Sequence, residues 1–191
     1  DSDDQAKIGG GFIEMSDGQS DSFTAVVNSD STFKLLLPAG HYNILADRLG
    51  SGDLVIRSAQ AQGRNVIDEG LTISEPGKIA LEIVMAHDGG RVDGAALDAS
   101  DKPVAGATIV LAPEAKLRAR TDLFQQTETD QYGRFSFDRV VPGNYTALAW
   151  DDVEPGMWWD PEFLKKYEGQ GESVAVAVKG TATVKVHLVK Q

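Results

Sequence analysis

Aromatic residues able to bind a ligand are concentrated in one stretch of this sequence. All three tryptophans lie within ten residues, at Trp150, Trp158 and Trp159, and Tyr167 follows shortly after. Exposed aromatic rings stack on flat ligands and anchor partner proteins. We therefore predict a ligand-binding platform made by Trp158, Trp159 and Tyr167.

The same residues also fit a structural interpretation. A loop and short helix that fold back over the end of a β-sandwich would bury about 150–250 Å² per aromatic ring in a small secondary core. Trp158 and Trp159 are adjacent, so in an extended chain they cannot both face inward. The sequence alone does not decide between a secondary core and a binding platform.

Acidic residues accompany the tryptophans. A pair of carboxylates can hydrolyse a glycosidic bond, and several oxygen ligands from an irregular loop can hold calcium. The EF-hand spacing is absent, and charge runs in loops are usually solvated. We therefore predict solvated charge and no metal site at these acids, which are Asp151, Asp152, Glu154 and Asp160.

The sequence gives little evidence for a histidine metal site or for a serine nucleophile. The three histidines, His41, His87 and His187, are far apart and form no H-x-H or H-E-x-x-H motif, which argues against an imidazole metal site. There is no G-x-S-x-G elbow, and no serine has a histidine and an acid at recognisable positions. We predict no catalytic residue, no cofactor and no enzyme activity.

The composition of the chain limits the kinds of partner that it is expected to bind. Acidic residues outnumber basic ones by 29 to 18 and give a net charge of −11, which repels nucleic acid and anionic membrane surfaces. No apolar run reaches the ~20 residues that span a bilayer. The chain has no cysteine, so redox chemistry does not indicate a compartment. The first residue is Asp1 rather than Met, and we expect a processed or excised chain.

The elements that must position these side chains are predicted to be β-strands. In "DQYGRFSFDRVVPGNYTALAW" (130–150), apolar and polar residues alternate on both sides of Pro142-Gly143. This pattern predicts two strands joined as a hairpin. Asp130 and Gly133 bracket a tight turn before the first strand, because Asp bonds nearby backbone and Gly tolerates a positive φ.

The same order of residues occurs a second time. "DSTFKLLLPAGHYNILA" (30–46) again has an Asp, a Phe, an alternating strand, a Pro, a Gly and a Tyr. Each copy is followed by a variable segment and an alternating closing strand, at 78–85 and at 173–189. Gly180 interrupts the second closing strand and predicts a turn or bulge there.

A domain boundary is predicted at the turn-rich Asp88-Gly89-Gly90, with a first domain over 1–88 and a second over 89–191. One helix is predicted at 160–171, where Asp160 can cap and Gly169 can end it. Many short strands with no βα rhythm predict an all-β fold of two tandem Ig-like or prealbumin-like antiparallel β-sandwich domains, with one short surface helix in the second.

A family resemblance appears in the second domain. "GRVDGAALDASDKPVAGATIVLAP" (90–113) and "TETDQYGRFSFDRVVPGNYTALAW" (127–150) resemble the carboxypeptidase regulatory-like domain, a relative of the Cna-B and transthyretin-like sandwiches. The match is good over about 89–150 and loose in the closing strand. The resemblance implies a module of secreted, periplasmic or cell-surface bacterial proteins, usually without an activity of its own.

The first domain matches this pattern less completely. Its "GGGFIEMSDG" (9–18) aligns with the "GATIVLAP" strand of the second domain, and only "DSDDQAKI" (1–8) precedes it, so a first strand is expected to be missing. Three explanations stay open. The strand lies upstream, the domain tolerates its absence, or another chain supplies it by strand addition to an open edge.

These observations predict a non-catalytic extracytoplasmic module, in the periplasm, on the cell surface or secreted, with a structural, adhesion or assembly role. Its expected partner is another protein, or a second copy of the chain, bound through sheet edges. The alternative is a carbohydrate-binding module that uses the Trp-rich end loop. Neither nucleic-acid binding nor membrane insertion is expected.

Overall fold

The computed structural model describes residues 12–16, 22–45 and 54–190. Contacts divide the chain into two units, Asp1–Asp88 and Gly89–Gln191, which are considered separately. The predicted tail at 1–8 lies outside the described residues. In the described part, no helix has the length and apolar character needed to cross a bilayer.

The described residues of the first unit form seven strands in two sheets. Its first sheet has the order β2-β1-β3-β6 and its second the order β5-β4-β7, with every pair antiparallel. Its core includes Met15, Tyr42, Ile44 and Ile56. The strands are β1 Phe12–Ser16, β2 Ser22–Val26, β3 Gly40–Leu45, β4 Val55–Ala61, β5 Arg64–Asn65, β6 Leu71–Ile73 and β7 Leu81–Ala86.

The second unit also contains seven strands in two sheets, of order β10-β9-β12-β13 and β11-β8-β14. The strands are β8 Gly90–Leu97, β9 Thr108–Pro113, β10 Gln125–Glu128, β11 Arg134–Val140, β12 Gly143–Trp150, β13 Glu172–Val176 and β14 Thr181–His187. Short 3₁₀ turns lie at Ala115–Leu117, Thr121–Leu123, Met157–Trp159 and Glu168–Gln170. The α-helix α1 spans Pro161–Lys165. The predicted all-β class, with one short helix, is confirmed for the described residues.

The predicted hairpin around Pro142-Gly143 is wrong. β11 pairs with β8, whereas β12 pairs with β9 and β13, so the chain crosses from one sheet to the other between β11 and β12. The register of β11 shifts between Phe137 and Val140, and Arg139 has a φ of 57°. This irregularity turns the chain out of its first sheet. The pairing of β14 with β8 is parallel, unlike the antiparallel pairing expected.

A tyrosine holds this crossover in place. The hydroxyl of Tyr145 donates to the carbonyl oxygen of Val141 at 2.7 Å, across the corner. Burial raises the pKa of Tyr145, which keeps the hydroxyl protonated as a donor. In the first unit, Tyr42 donates in the same way to Pro38, four residues upstream, at 3.1 Å. In both units the Tyr lies four residues after the carbonyl that it binds, and a tyrosine corner explains this spacing.

Acidic side chains close two of the turns that lie next to strands of the second unit. The Asp130 carboxylate accepts from the backbone N–H of Tyr132 at 2.8 Å and of Arg134 at 2.9 Å, while Gly133 adopts a φ of 73°. Asp98 closes the turn after β8 in the same manner, and hydrogen bonds from Lys102 and Ser100 lower its pKa. These carboxylates replace hydrogen bonds that a strand or helix would supply.

The turn expected at Gly180 is also present. The N–H of Gly180 donates to the carbonyl oxygen of Ala177 at 2.9 Å, and Lys179 has a φ of 53°. β13 ends before this turn and β14 begins after it, and the two strands belong to different sheets. The glycine therefore lies where the closing segment changes sheet.

Replacement of Tyr145 by Phe removes only the corner hydroxyl. We expect Tyr145→Phe to lower the free energy of unfolding by ~1 kcal/mol, because the Val141 carbonyl loses its donor. The measurement is a urea titration followed by far-UV circular dichroism. Tyr132→Phe is the matched control, since Tyr132 is exposed and should leave the midpoint unchanged. Equal midpoints for both variants would contradict the role assigned to the corner.

Candidate functional site

The sheet of the second unit that contains Trp150 is buried on both faces. Ile109 and Leu111 of β9 point into the main core, whereas Val110 and Ala112 of the same strand point into a second cluster. The outer face of a sandwich sheet would otherwise be solvated and polar. A covering segment is therefore required here, and residues 153–167 supply it. We call this segment the tryptophan cap.

Aromatic rings attach the tryptophan cap to the sheet. Trp150, at the end of β12, is fully buried and stacks on Phe163 with ring centroids 6.2 Å apart. Tyr167 meets the edge of Trp150 at 5.8 Å and contacts Phe163 at 5.0 Å. Leu164 is buried in the same cluster. Aromatic pairs in these geometries contribute about 0.5–1.5 kcal/mol beyond their burial.

The helix in the cap begins as its sequence predicts. The carboxylate of Asp160 accepts from the backbone N–H of Glu162 at 2.9 Å, and Pro161 occupies the first helical position. The helix is shorter than the predicted 160–171 and gives way to a 3₁₀ turn at Glu168–Gln170. Its apolar side, with Phe163 and Leu164, faces the sheet.

The structure separates the three predicted binding residues. Trp158 is 4% exposed and belongs to the second cluster, whereas Trp159 is 57% exposed. Tyr167 is half-buried against Trp150. Trp159 alone of the three presents most of its surface to solvent. The two adjacent rings meet edge to face, with centroids 6.2 Å apart.

The direction of the two tryptophans has a local cause. They lie in the 3₁₀ turn Met157–Trp159, where successive side chains point about 120° apart because the turn has three residues per repeat. Gly156 precedes the turn with a φ of 90°, a conformation that other residues rarely adopt. The two side chains therefore leave the backbone in different directions from a turn, although their rings still touch edge to face.

The acids around the cap are exposed at the surface. Asp151, Asp152 and Glu154 are all exposed, and the Asp160 carboxylate is engaged in capping the helix. Across the described ranges, no three His, Asp or Glu side chains are grouped where they could hold one metal ion. The sequence around Trp159 therefore carries several exposed acids, of which Asp160 is its direct neighbour.

Two of the histidines make local polar contacts. His41 Nδ1 lies 2.9 Å from the Thr72 hydroxyl, on the neighbouring strand of its sheet. His187 Nε2 lies 3.0 Å from the carboxylate of Asp101, in an exposed pair. Each contact joins a strand residue to a neighbouring strand or turn of the same unit. The sequence places both residues in or beside strands but does not indicate these partners.

Trp158 and Trp159 are expected to differ sharply in their effect on stability. Trp158→Ala should lower the free energy of unfolding by ~3–5 kcal/mol, because it leaves a cavity under the tryptophan cap. Trp159→Ala should change it by no more than ~0.5 kcal/mol, because the ring is largely solvated. Urea unfolding monitored by circular dichroism measures both. Similar losses in the two variants would show that the cap is packed differently.

Comparisons with known proteins show no family for this chain. No profile of a known protein family matches the chain, and no curated protein matches its sequence. Among solved structures, GBS52, a minor pilin of Streptococcus agalactiae, is 16% identical with a TM-score of 0.40, over 95% of this chain and 84% of that one.

Two further matches are more distant. The Bacillus anthracis TIE protein is 12% identical with a TM-score of 0.35; the match covers 94% of this chain but only 31% of the TIE chain. A Pseudomonas aeruginosa protein named as a candidate carbohydrate binder is 16% identical with a TM-score of 0.33, over 51% of this chain and 87% of that one. These matches have low identities and low TM-scores, so they assign neither a family nor a function to this chain.

Proposed function

We propose that the chain is a non-catalytic β-sandwich module with an extracytoplasmic structural, adhesion or assembly role, built of two domains over 1–88 and 89–191. The observation that supports this proposal is how its polar side chains are used. Asp98 and Asp130 close turns, and Asp160 caps a helix. These three carboxylates are hydrogen-bonded to nearby backbone and stabilise local structure.

The extracytoplasmic location belongs to the same proposal. The second unit's sequence resembles the carboxypeptidase regulatory-like domain, and such domains occur mainly in secreted, periplasmic and cell-surface bacterial proteins. The acidic balance of −11 favours solubility and disfavours contact with anionic membrane surfaces. A protein partner, or a second copy of the chain, is then the expected binding partner.

Sheet edges are the surfaces that such a module offers. β2 is the outermost strand of its sheet and, among the described residues, pairs only with β1. Val26 on this strand is 58% exposed. An edge strand presents unpaired N–H and C=O groups, and proteins that avoid association usually protect it with charge or proline. The exposed valine on β2 is therefore consistent with association through this edge.

A charge on this edge should weaken self-association. We expect the sedimentation coefficient of the full chain to rise with concentration, and Val26→Lys to abolish that rise, because a lysine on an edge strand opposes pairing. Val178→Lys is the matched control, since Val178 is equally exposed, at 57%, but lies in a turn. A strict monomer at high concentration, or equal behaviour of both variants, would overturn assembly of copies through this edge.

A carbohydrate-binding role is the second candidate, favoured by the exposure of Trp159. The ring is 57% exposed, and exposed acids flank it at Glu154 and Asp160. An aromatic face beside hydrogen-bond acceptors is an arrangement that can hold a sugar ring. In this role Trp158 supports the Trp159 ring from inside, and Tyr167 packs against Trp150 elsewhere in the tryptophan cap.

This candidate is tested on a glycan array. If it holds, the native chain binds one class of glycan, and Trp159→Ala loses about tenfold or more in affinity, since a stacked ring contributes a hot-spot contact. Val178→Lys should bind like the native chain. An array without signal, or a signal that persists in Trp159→Ala, would contradict the carbohydrate-binding role and leave assembly as the proposal.

A further inference from the structure

A cleft of about 470 Å³ lies in the first unit, between the β4–β5 hairpin, the turn before β6 and the loop from β6 to β7. Its volume falls in the range of small-molecule sites, about 300–1,000 Å³. The residues that line it include buried apolar ones, such as Val66 and Leu71, and a larger number of exposed polar ones. Small ligands bind to concave surfaces that combine apolar contacts with a few polar groups. The proposed assembly role makes no use of this cleft.

The walls of the cleft are fixed by local backbone geometry. Gln62 and Gly63 have φ values of 51° and 76°, which is the conformation of a tight two-residue hairpin turn. The side-chain oxygen of Asn65 accepts from the backbone N–H of Ile67 at 3.0 Å and holds the chain after the hairpin. Gly70 has a φ of 74°, a conformation that other residues rarely adopt. The cleft is therefore formed before any ligand binds.

Charged side chains of both signs line this cleft. Two are basic and two are acidic, and all four are exposed: Arg64, Lys78, Glu69 and Glu75. In the part of the chain that the structure describes, none of the four forms an ion pair. Their charges are not neutralised inside the protein, so they are available to a ligand.

The balance of these charges selects the kind of ligand. An anion is repelled by the two carboxylates and a cation is repelled by the two basic groups, whereas a molecule with both charges is attracted by both pairs. None of the described residues that line the cleft is aromatic. Quaternary ammonium groups are held by aromatic cages, so a primary ammonium group, which carboxylates bind directly, is the better match.

We propose that this cleft binds a short zwitterionic peptide. Arg64 and Lys78 bind its carboxylate, and Glu69 and Glu75 bind its ammonium group. The volume exceeds that of one amino acid, which favours a short peptide over a free amino acid. Polar lining residues such as Ser74 offer hydrogen bonds to the peptide amides. This inference goes beyond the proposed assembly role and does not depend on it.

The test is a titration of the full, isotope-labelled chain with trialanine, followed by amide chemical shifts. Trialanine carries an ammonium group at one end, a carboxylate at the other and small apolar side chains. The shift changes should saturate and should be concentrated at the cleft, with Gly70 and Gly77 among the affected amides. N-acetyl-trialanine and trialanine amide each lack one charge. Both should bind at least about fivefold more weakly, because each loses a charge-assisted contact.

Variants identify which end of the peptide each side chain binds. Lys78→Gln should weaken trialanine binding about fivefold and leave trialanine amide unaffected, because the amide has no carboxylate for the lysine. Glu69→Gln should weaken trialanine binding about fivefold and leave N-acetyl-trialanine unaffected, because that peptide has no ammonium group. Lys34→Gln and Glu82→Gln are the matched controls, since both residues are exposed in the same unit but lie outside the cleft. Both controls should bind every peptide normally.

Several results would overturn the proposal. These are no saturable shift with trialanine, shifts at amides away from the cleft, or capped peptides that bind as well as trialanine. A variant that weakens capped and uncapped peptides equally would overturn the contacts assigned to its side chain. The capped peptides test the unmodified chain, so this comparison does not depend on the folding of any variant. Trialanine can fail to bind while Val26→Lys still abolishes self-association, so failure of this inference is distinguishable from failure of the assembly role.

Discussion

Pairing of β8 with β11 and β14 is the interaction on which the second unit depends. β8 is the central strand of its sheet, and its backbone joins an antiparallel neighbour to a parallel one. With β8 in place, Phe135 and Phe137 are buried and the core is closed. The segment 33–37 of the first unit has a similar alternation but no such partner among the described residues, and its apolar side chains stay half-exposed. In the second unit, burial of the apolar face of β11 therefore goes together with its pairing to β8.

The second constraint is that each apolar face of a sheet must be covered. β9 and β12 carry apolar residues on both faces, so a single sandwich core cannot bury them. The tryptophan cap covers the outer face of this sheet with α1 and its aromatic rings. Most of the aromatic surface that first suggested a binding site is used in this packing. What is left for a ligand is Trp159, with exposed acids beside it.

Backbone polar groups must also find partners, and several carboxylates serve this purpose. Carboxylates at Asp98, Asp130 and Asp160 bond to backbone N–H groups at turns and at a helix start, where no strand or helix partner is present. The hydrogen bonds to Asp98 also lower its pKa, so the charged form is the one the turn stabilises. These three carboxylates are therefore part of the architecture of the second unit.

The sequence by itself determined the local features: the turns at Asp130 and Gly180, the cap at Asp160 and the alternating strands, because each depends on residues a few positions apart. It also indicated that Trp158 and Trp159 would face different ways, but not which of them would be buried. Only the tertiary structure decided that β11 and β12 lie in different sheets and that β14 runs parallel to β8. The reason is physical: alternation shows which side of a strand is apolar, but it carries no information on which strand will pair with it, and that choice depends on long-range packing.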